Sequence, residues 1–261
     1  MRTARLVTRA ENRLLDIGRK SGFLPQQRMA SEIDRFKAQW ASADPFPHIC
    51  VDNFFDQRTI EIIADEFPGP EQQRDWVEFR LPSEWMKNAT ASDRQIPFFT
   101  RQFLYALNSR SFVAWLEELT DIWGLIADTE FMGGGLHATM PGGKLGIHTD
   151  FNKHLRNKLD RRLNLLLFLN RDWEPEWGGQ LELWDREVKR CGQKITPLFN
   201  RLVIFATTDF TFHGHPQPVA CPPETFRKSI ALYYYSNGRP TEEQSEAHLT
   251  QYREPPSDAG A

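Results

Sequence analysis

In Leu145-Gly146-Ile147-His148-Thr149-Asp150-Phe151 an imidazole and a carboxylate stand two residues apart. If the stretch is extended, His148 and Asp150 point to one face of a strand and can share a metal ion. That donor pair suits Fe, Mn or Zn. Alone it is a weak signal, because 7 His and 16 Asp in 261 residues give roughly 0.4 His-x-Asp pairs by chance. A third donor is on offer in Thr211-Phe212-His213-Gly214-His215-Pro216, just after the turn-like Thr207-Thr208-Asp209. A His-x-Asp on one strand with His213 or His215 on a neighbour gives a two-His-one-carboxylate face. Such a face leaves three metal positions open, as an oxygen-activating Fe(II) centre requires.

A cation follows. Arg227 and Lys228 begin the strand Arg227-Lys-Ser-Ile-Ala-Leu-Tyr-Tyr-Tyr235. Alternation places Arg227, Ser229 and Ala231 on one face and Lys228 on the other. An arginine aimed into a barrel needs an anion, because a buried unpaired charge is very costly. A dicarboxylate with one end on the metal and the other in the guanidinium fork would satisfy it.

These residues must be carried by short strands. Arg162 to Leu169 is a near-continuous apolar run, Gln180 to Trp184 alternates after Gly178-Gly179, and Leu202 to Phe205 and Ser229 to Tyr235 read as buried strands. Broken by Gly, Pro and Asp, they point to a sandwich, jelly roll or barrel. Upstream the pattern is helical. Met1 to Lys20 reads as an amphipathic helix burying Leu6, Leu14, Leu15 and Ile17, and Met29 to Trp40 as a second. His48 to Asp52 reads as a strand, and Asp56 as the N-cap of a helix over Thr59 to Phe67. Phe98 to Leu107 and Ser111 to Trp123 are two further helices with apolar faces suited to a sheet. Glu71 to Pro97 shows no periodicity and reads as a lid or an edge segment. The expectation is one domain: a helical support with short strands over 1–125, a β core over 126–239, and a frayed polar tail over 240–261.

Composition narrows the classes. The net charge of -3 gives no electrostatic ground for nucleic acid or an anionic membrane. No run approaches the roughly 18 apolar residues of a membrane span. The three cysteines, Cys50, Cys191 and Cys221, show neither disulfide nor zinc spacing, which favours a reducing, cytoplasmic setting. Lys153 to Arg162 holds five Lys/Arg and one His and reads as a solvated loop rather than a lure for an acidic substrate. Trp173, Trp177 and Trp184 read as packing residues. His137 reads as a structural strand histidine rather than a pocket residue, and His48, His154 and His248 as structural or solvent-facing.

In order along the chain stand Pro45-Phe-Pro-His48 with Asp52-Asn-Phe-Phe55, then Gly133-Gly-Gly-Leu-His137, then Gly142-Gly143 leading to His148-Thr-Asp150-Phe-Asn152. Arg161-Arg-Leu-Asn164 to Leu169-Asn170, Trp177-Gly-Gly-Gln-Leu-Glu-Leu-Trp184, Phe212-His213-Gly-His-Pro and Arg227 to Tyr235 follow. With these motifs, covering most of residues 45–240, the chain resembles the 2-oxoglutarate/Fe(II)-dependent dioxygenases of the prolyl 4-hydroxylase-like superfamily. It is most similar to bacterial members whose substrates the sequence does not reveal. The resemblance implies a mainly β fold with flanking α, a double-stranded β-helix (jelly-roll) core buttressed by N-terminal helices.

By position, it implies His148, Asp150 and His213 as iron ligands and catalytic residues, and selects Arg227 to pair with the distal carboxylate of 2-oxoglutarate. It implies Fe(II), 2-oxoglutarate as cosubstrate and O2, and leaves ascorbate open as an accessory reductant. The implied reaction hydroxylates an unactivated C–H bond with release of succinate and CO2; desaturation and demethylation are other outcomes of the same chemistry. One position departs. Some relatives carry a tyrosine where this chain has Phe168, bonding the same carboxylate, so Asn164 or a tyrosine elsewhere is left to take that role. Gly142-Gly143 is expected to turn the ligand strand into the barrel. The competing class is a non-catalytic or cupin-like metal-binding jelly roll, which has no need of an inward Arg227. The substrate is unread: peptidyl proline, an amino acid, or a sugar or lipid precursor.

Overall fold

The computed structural model describes residues 22–256, so the helix expected over Met1 to Lys20 lies outside the described residues. In chain order the strands are β1 (His48–Asp52), β2 (Val77–Leu81), β3 (Glu84–Ala89), β4 (Ile126–Ala127), β5 (Gly135–Thr149) and β6 (Asp160–Phe168). They continue with β7 (Leu181–Trp184), β8 (Cys191–Ile195), β9 (Arg201–Ala206), β10 (Phe212–His215), β11 (Arg227–Ser236) and β12 (Gln251–Tyr252). The main path runs β1-β9-β6-β11-β5-β10-β7-β8, with antiparallel pairing throughout. This is a jelly-roll core.

Strand β5 belongs to both halves of the roll. Its first part pairs with β11 (Arg227↔Thr139), and its last part pairs with β10 (His213↔His148). Gly142-Gly143 lies inside this strand rather than at a turn between strands. Gly142 sits at φ +79°, and a Cβ on Gly143 would fall 2.9 Å from the Met86 carbonyl oxygen and 2.8 Å from that of Met140. Only a residue without a side chain lets β5 bend there against its neighbour.

Helices cover the outer face of the larger half: Ile33–Ser42, Gln57–Glu66, Phe98–Leu107 and Arg110–Thr120. Phe99, Phe103, Leu104, Phe112 and Leu116 join Leu163, Leu165, Leu167, Ile230 and Leu232 in one buried cluster. That explains the unbroken apolar run of β6: its outer side chains meet helices and its inner ones face the roll. The helix expected from Met29 to Trp40 is interrupted at Glu32, giving Gln26–Ser31 and Ile33–Ser42.

Asp56 caps the helix Gln57–Glu66, its carboxylate accepting from the Thr59 amide at 2.9 Å. Asp56→Ala is expected to cost about 1 kcal/mol, or a fall of about 2–4 °C in the melting midpoint followed by circular dichroism. An unchanged midpoint would count against the cap.

Of the two irregular segments, Glu71 to Pro97 takes the edge alternative of its expectation, and the frayed tail is replaced. Glu71 to Pro97 contains a β2–β3 hairpin, and β3 pairs with β5 from Ala89↔His137 to Glu84↔Leu145. The tail over 240–261 is not frayed across its described part. It runs along the roll and ends in β12, paired with β5 at Gln251↔Thr149 and Tyr252↔His148.

Candidate metal centre and its cavity

Antiparallel pairing sets His213 of β10 directly opposite His148 of β5, with ring centroids 4.5 Å apart. Asp150, just beyond β5, reaches between them: its oxygens lie 3.7 Å from His148 Nε2 and 3.4 Å from His213 Nε2. The three ligand atoms fall within 4.8 Å of one another. In each ring Nδ1 is held by a carbonyl oxygen two residues earlier, Gly146 O at 2.8 Å and Thr211 O at 3.0 Å. With Nδ1–H donating there, Nε2 is the ring atom turned toward the candidate metal position and the ring orientation is fixed.

The charge states suit a cation. Burial presses His213 down to about 4, with Asp150 opposing and His148 reinforcing the shift, so its ring is neutral at neutral pH. Burial alone would raise the Asp150 carboxyl, but Arg161 and the two histidines outweigh it and hold it well below the usual range. A neutral His213 imidazole and an ionised Asp150 carboxylate are donors that Fe(II) or Mn(II) accepts without proton loss.

Arg161 enters here although its position in the sequence gave no sign of it. Its side chain is 1% exposed, with Nη2 3.1 Å from Asp150 Oδ2. Its Nε and Nη2 donate to Asn164 Oδ1 at 3.0 and 2.7 Å, and Asn164 Nδ2 donates to Asp150 Oδ2 at 2.7 Å. The guanidinium lies over the Tyr233 ring at 3.5 Å and the Phe151 ring at 4.5 Å. Asn164, expected as a cosubstrate contact, thus has its amide engaged by Arg161 and Asp150. The pair fixes one carboxylate oxygen.

Arg227 occupies the far side of the same cavity. It is 6% exposed, and its Nε donates to Gly179 O at 2.7 Å. Gly179 sits at φ +69°, and a Cβ there would lie 3.0 Å from Arg227 Cδ, so glycine makes room for the arginine. The guanidinium lies 4.9 Å from the Phe168 ring, and among the described residues no carboxylate pairs with it within 4.0 Å. Burial pushes it down to about 9, which leaves it charged at neutral pH. Lys228 points away, toward Phe226.

His148, Asp150, His213, Asn164 and Arg227 all line a cavity of about 260 Å³. His137 also lines it, although its Nε2 is engaged by Gly133 O at 2.9 Å. His215, the rival to His213, lies two residues further along β10; it lines the cavity but is not in the three-ligand cluster. The hairpin adds Glu84 and Lys87, paired at 2.7 Å, and the C-terminal segment adds Thr250 and Tyr252. Of the expected loop cations, Lys153 and Arg156 pair with Asp160 and Glu130. Trp173 and Trp184 are buried in packing clusters.

Two histidines and a carboxylate on one face of a jelly roll, with a buried cation opposite, are the donor arrangement that a facial-triad metal site needs. Residues 134–235 match the model of the 2OG-Fe(II) oxygenase superfamily, a family whose chemistry uses Fe(II), 2-oxoglutarate and O2. Prolyl 3-hydroxylase OGFOD1 of Mus musculus is 30% identical over 79 residues, 29% of this chain and 14% of that protein, so the chain spans a small part of that relative. A Trichoplax adhaerens prolyl hydroxylase, solved with a hypoxia-inducible-factor peptide fragment, aligns at TM-score 0.57 and 18% identity over 81% of this chain and 92% of its own. A Pseudomonas putida prolyl-4-hydroxylase aligns at 0.56 and 16%, over 79% of this chain and 100% of its own. These last two likenesses concern the fold. Among the described residues no helix is long and apolar enough to cross a membrane.

Proposed function

We propose that the protein is an Fe(II)- and 2-oxoglutarate-dependent dioxygenase that hydroxylates an unactivated C–H bond. One observation carries this: a three-residue face able to hold a metal and a buried guanidinium without a carboxylate partner among the described residues open into the same cavity. A cupin-like metal module would have no use for Arg227.

Each side chain has a part. His148, Asp150 and His213 would hold the metal, whose bound form would serve cosubstrate and oxygen. Arg227 binds the distal carboxylate of 2-oxoglutarate through a two-pronged hydrogen bond, which turns a costly buried charge into a paired one. Arg161 and Asn164 keep Asp150 ionised and aimed, as partners outside a metal site do. Leu166, Leu181 and Phe205 line the cavity with apolar surface and limit water. With Fe(II) bound, 2-oxoglutarate and O2 supply the oxidising power, one oxygen atom entering the substrate and the other the succinate formed with CO2.

Anaerobic addition of Fe(II) and 2-oxoglutarate should give a visible metal-to-ligand charge-transfer band, absent in His148→Ala. A flat spectrum from wild-type protein would sink the enzyme reading.

A further inference from the structure

The C-terminal segment is built onto the site. Asn152 holds it at three points, donating to Ser245 Oγ at 2.9 Å and Glu246 O at 2.8 Å and accepting from the His248 amide at 2.9 Å. His248 Nε2 is bound to Asp209 Oδ1 at 2.9 Å. Then β12 pairs with β5 beside the ligand histidine, and the Arg253 amide donates to Ile147 O at 2.8 Å. Tyr252 lies with its ring 5.4 Å from that of His148, and its hydroxyl donates to Glu84 Oε2 at 3.1 Å. Glu84 belongs to β3, which pairs with the preceding part of the same β5 edge at Leu145. Hairpin and tail therefore occupy one edge in succession, joined by the Tyr252–Glu84 bond.

We infer that residues 245–253 form a fixed wall of the substrate chamber, with Tyr252 its innermost residue, and that this wall restricts the enzyme to compact polar molecules of about amino-acid size. The inference rests on the oxygenase reading above. An extended polypeptide gains affinity by adding its backbone to an unpaired strand edge, and beside His148 that edge is already taken by the chain itself. The cavity of about 260 Å³ must also hold 2-oxoglutarate, and it is smaller than the roughly 300–1,000 Å³ typical of ligand pockets. The Glu84–Lys87 pair and His137 give the remaining wall its polar character.

The test uses Mn(II)-loaded protein and N-oxalyl amino acids, which share one chelating end and differ in side-chain size. Calorimetry of wild type should show N-oxalylglycine binding and a loss of at least 100-fold with N-oxalylphenylalanine of either hand. In Tyr252→Gly, and separately in a chain ending at Gln244, that ratio should shrink at least tenfold. Should the truncated chain not fold, the point variant carries the comparison. Equal ratios in wild type and Tyr252→Gly, or tight wild-type binding of the larger compound, would overturn the wall. Failure of N-oxalylglycine itself to bind would instead overturn the cosubstrate site on which it rests.

Discussion

Arg227→Ala is expected to raise the 2-oxoglutarate dissociation constant of the metal-loaded protein by roughly 30-fold to a few thousand-fold, the equivalent of losing 2–5 kcal/mol at a buried charge pair. The guanidinium is buried, its Nε is held by Gly179 O, and its remaining N–H groups have no carboxylate partner among the described residues. Those groups are what a distal carboxylate would engage. The same substitution should leave the ligand-free protein as stable as wild type or more so, because it removes a desolvated charge. Arg227→Lys keeps the charge but loses the planar fork, so its affinity should fall between the two. Calorimetric titration with 2-oxoglutarate and thermal melts of the free protein measure both effects. Unchanged affinity in Arg227→Ala would mean that the anchor is elsewhere.

At Asp150 the stability effect reverses sign. Asp150→Ala removes a metal ligand and also strips Arg161 of its only carboxylate among the described residues, with that guanidinium 1% exposed. Leaving such a charge unpaired costs about 3–5 kcal/mol. The variant is therefore expected to bind no stoichiometric Mn(II) and to melt well below wild type. Asp150→Asn keeps an oxygen acceptor for Arg161 and should recover part of the stability without restoring metal binding. Metal content after dialysis separates the two effects from the melting curves. A variant that retained tight metal would remove Asp150 from the ligand set.

That His148 and Asp150 cluster with His213, and that Arg227 faces the same cavity, was legible because it follows from residue type and two-residue alternation. His148 and Asp150, and later Arg227 with Ser229 and Ala231, need nothing more than an extended chain to share a face. Arg161 was not legible for the opposite reason. Tyr235 pairs with Arg161 and Tyr234 with Leu163, so Arg162 is an extra residue in β6, a bulge that turns Arg161 to the inner face with Asn164 and Leu166. Strict alternation would have sent it outward. The β2–β3 hairpin gave no periodicity because β2 is exposed along nearly its whole length, which removes the hydrophobic contrast that marks a strand. The two residues of β12 are held by backbone bonds to β5 and by Tyr252, and a polar tail shows neither in its composition.

The bend at Gly142-Gly143 has a consequence for when the site comes into being. Since one strand serves both halves of the roll, the two histidines that face each other there, His148 of β5 and His213 of β10, are contributed by segments far apart along the chain. No local fragment can assemble that face, and contacts of this separation are slow to form. A metal ion therefore has no site on a half-closed chain. Bound there, it would act as a clasp on the finished roll, and by mass action its free concentration would set how firmly the roll stays shut.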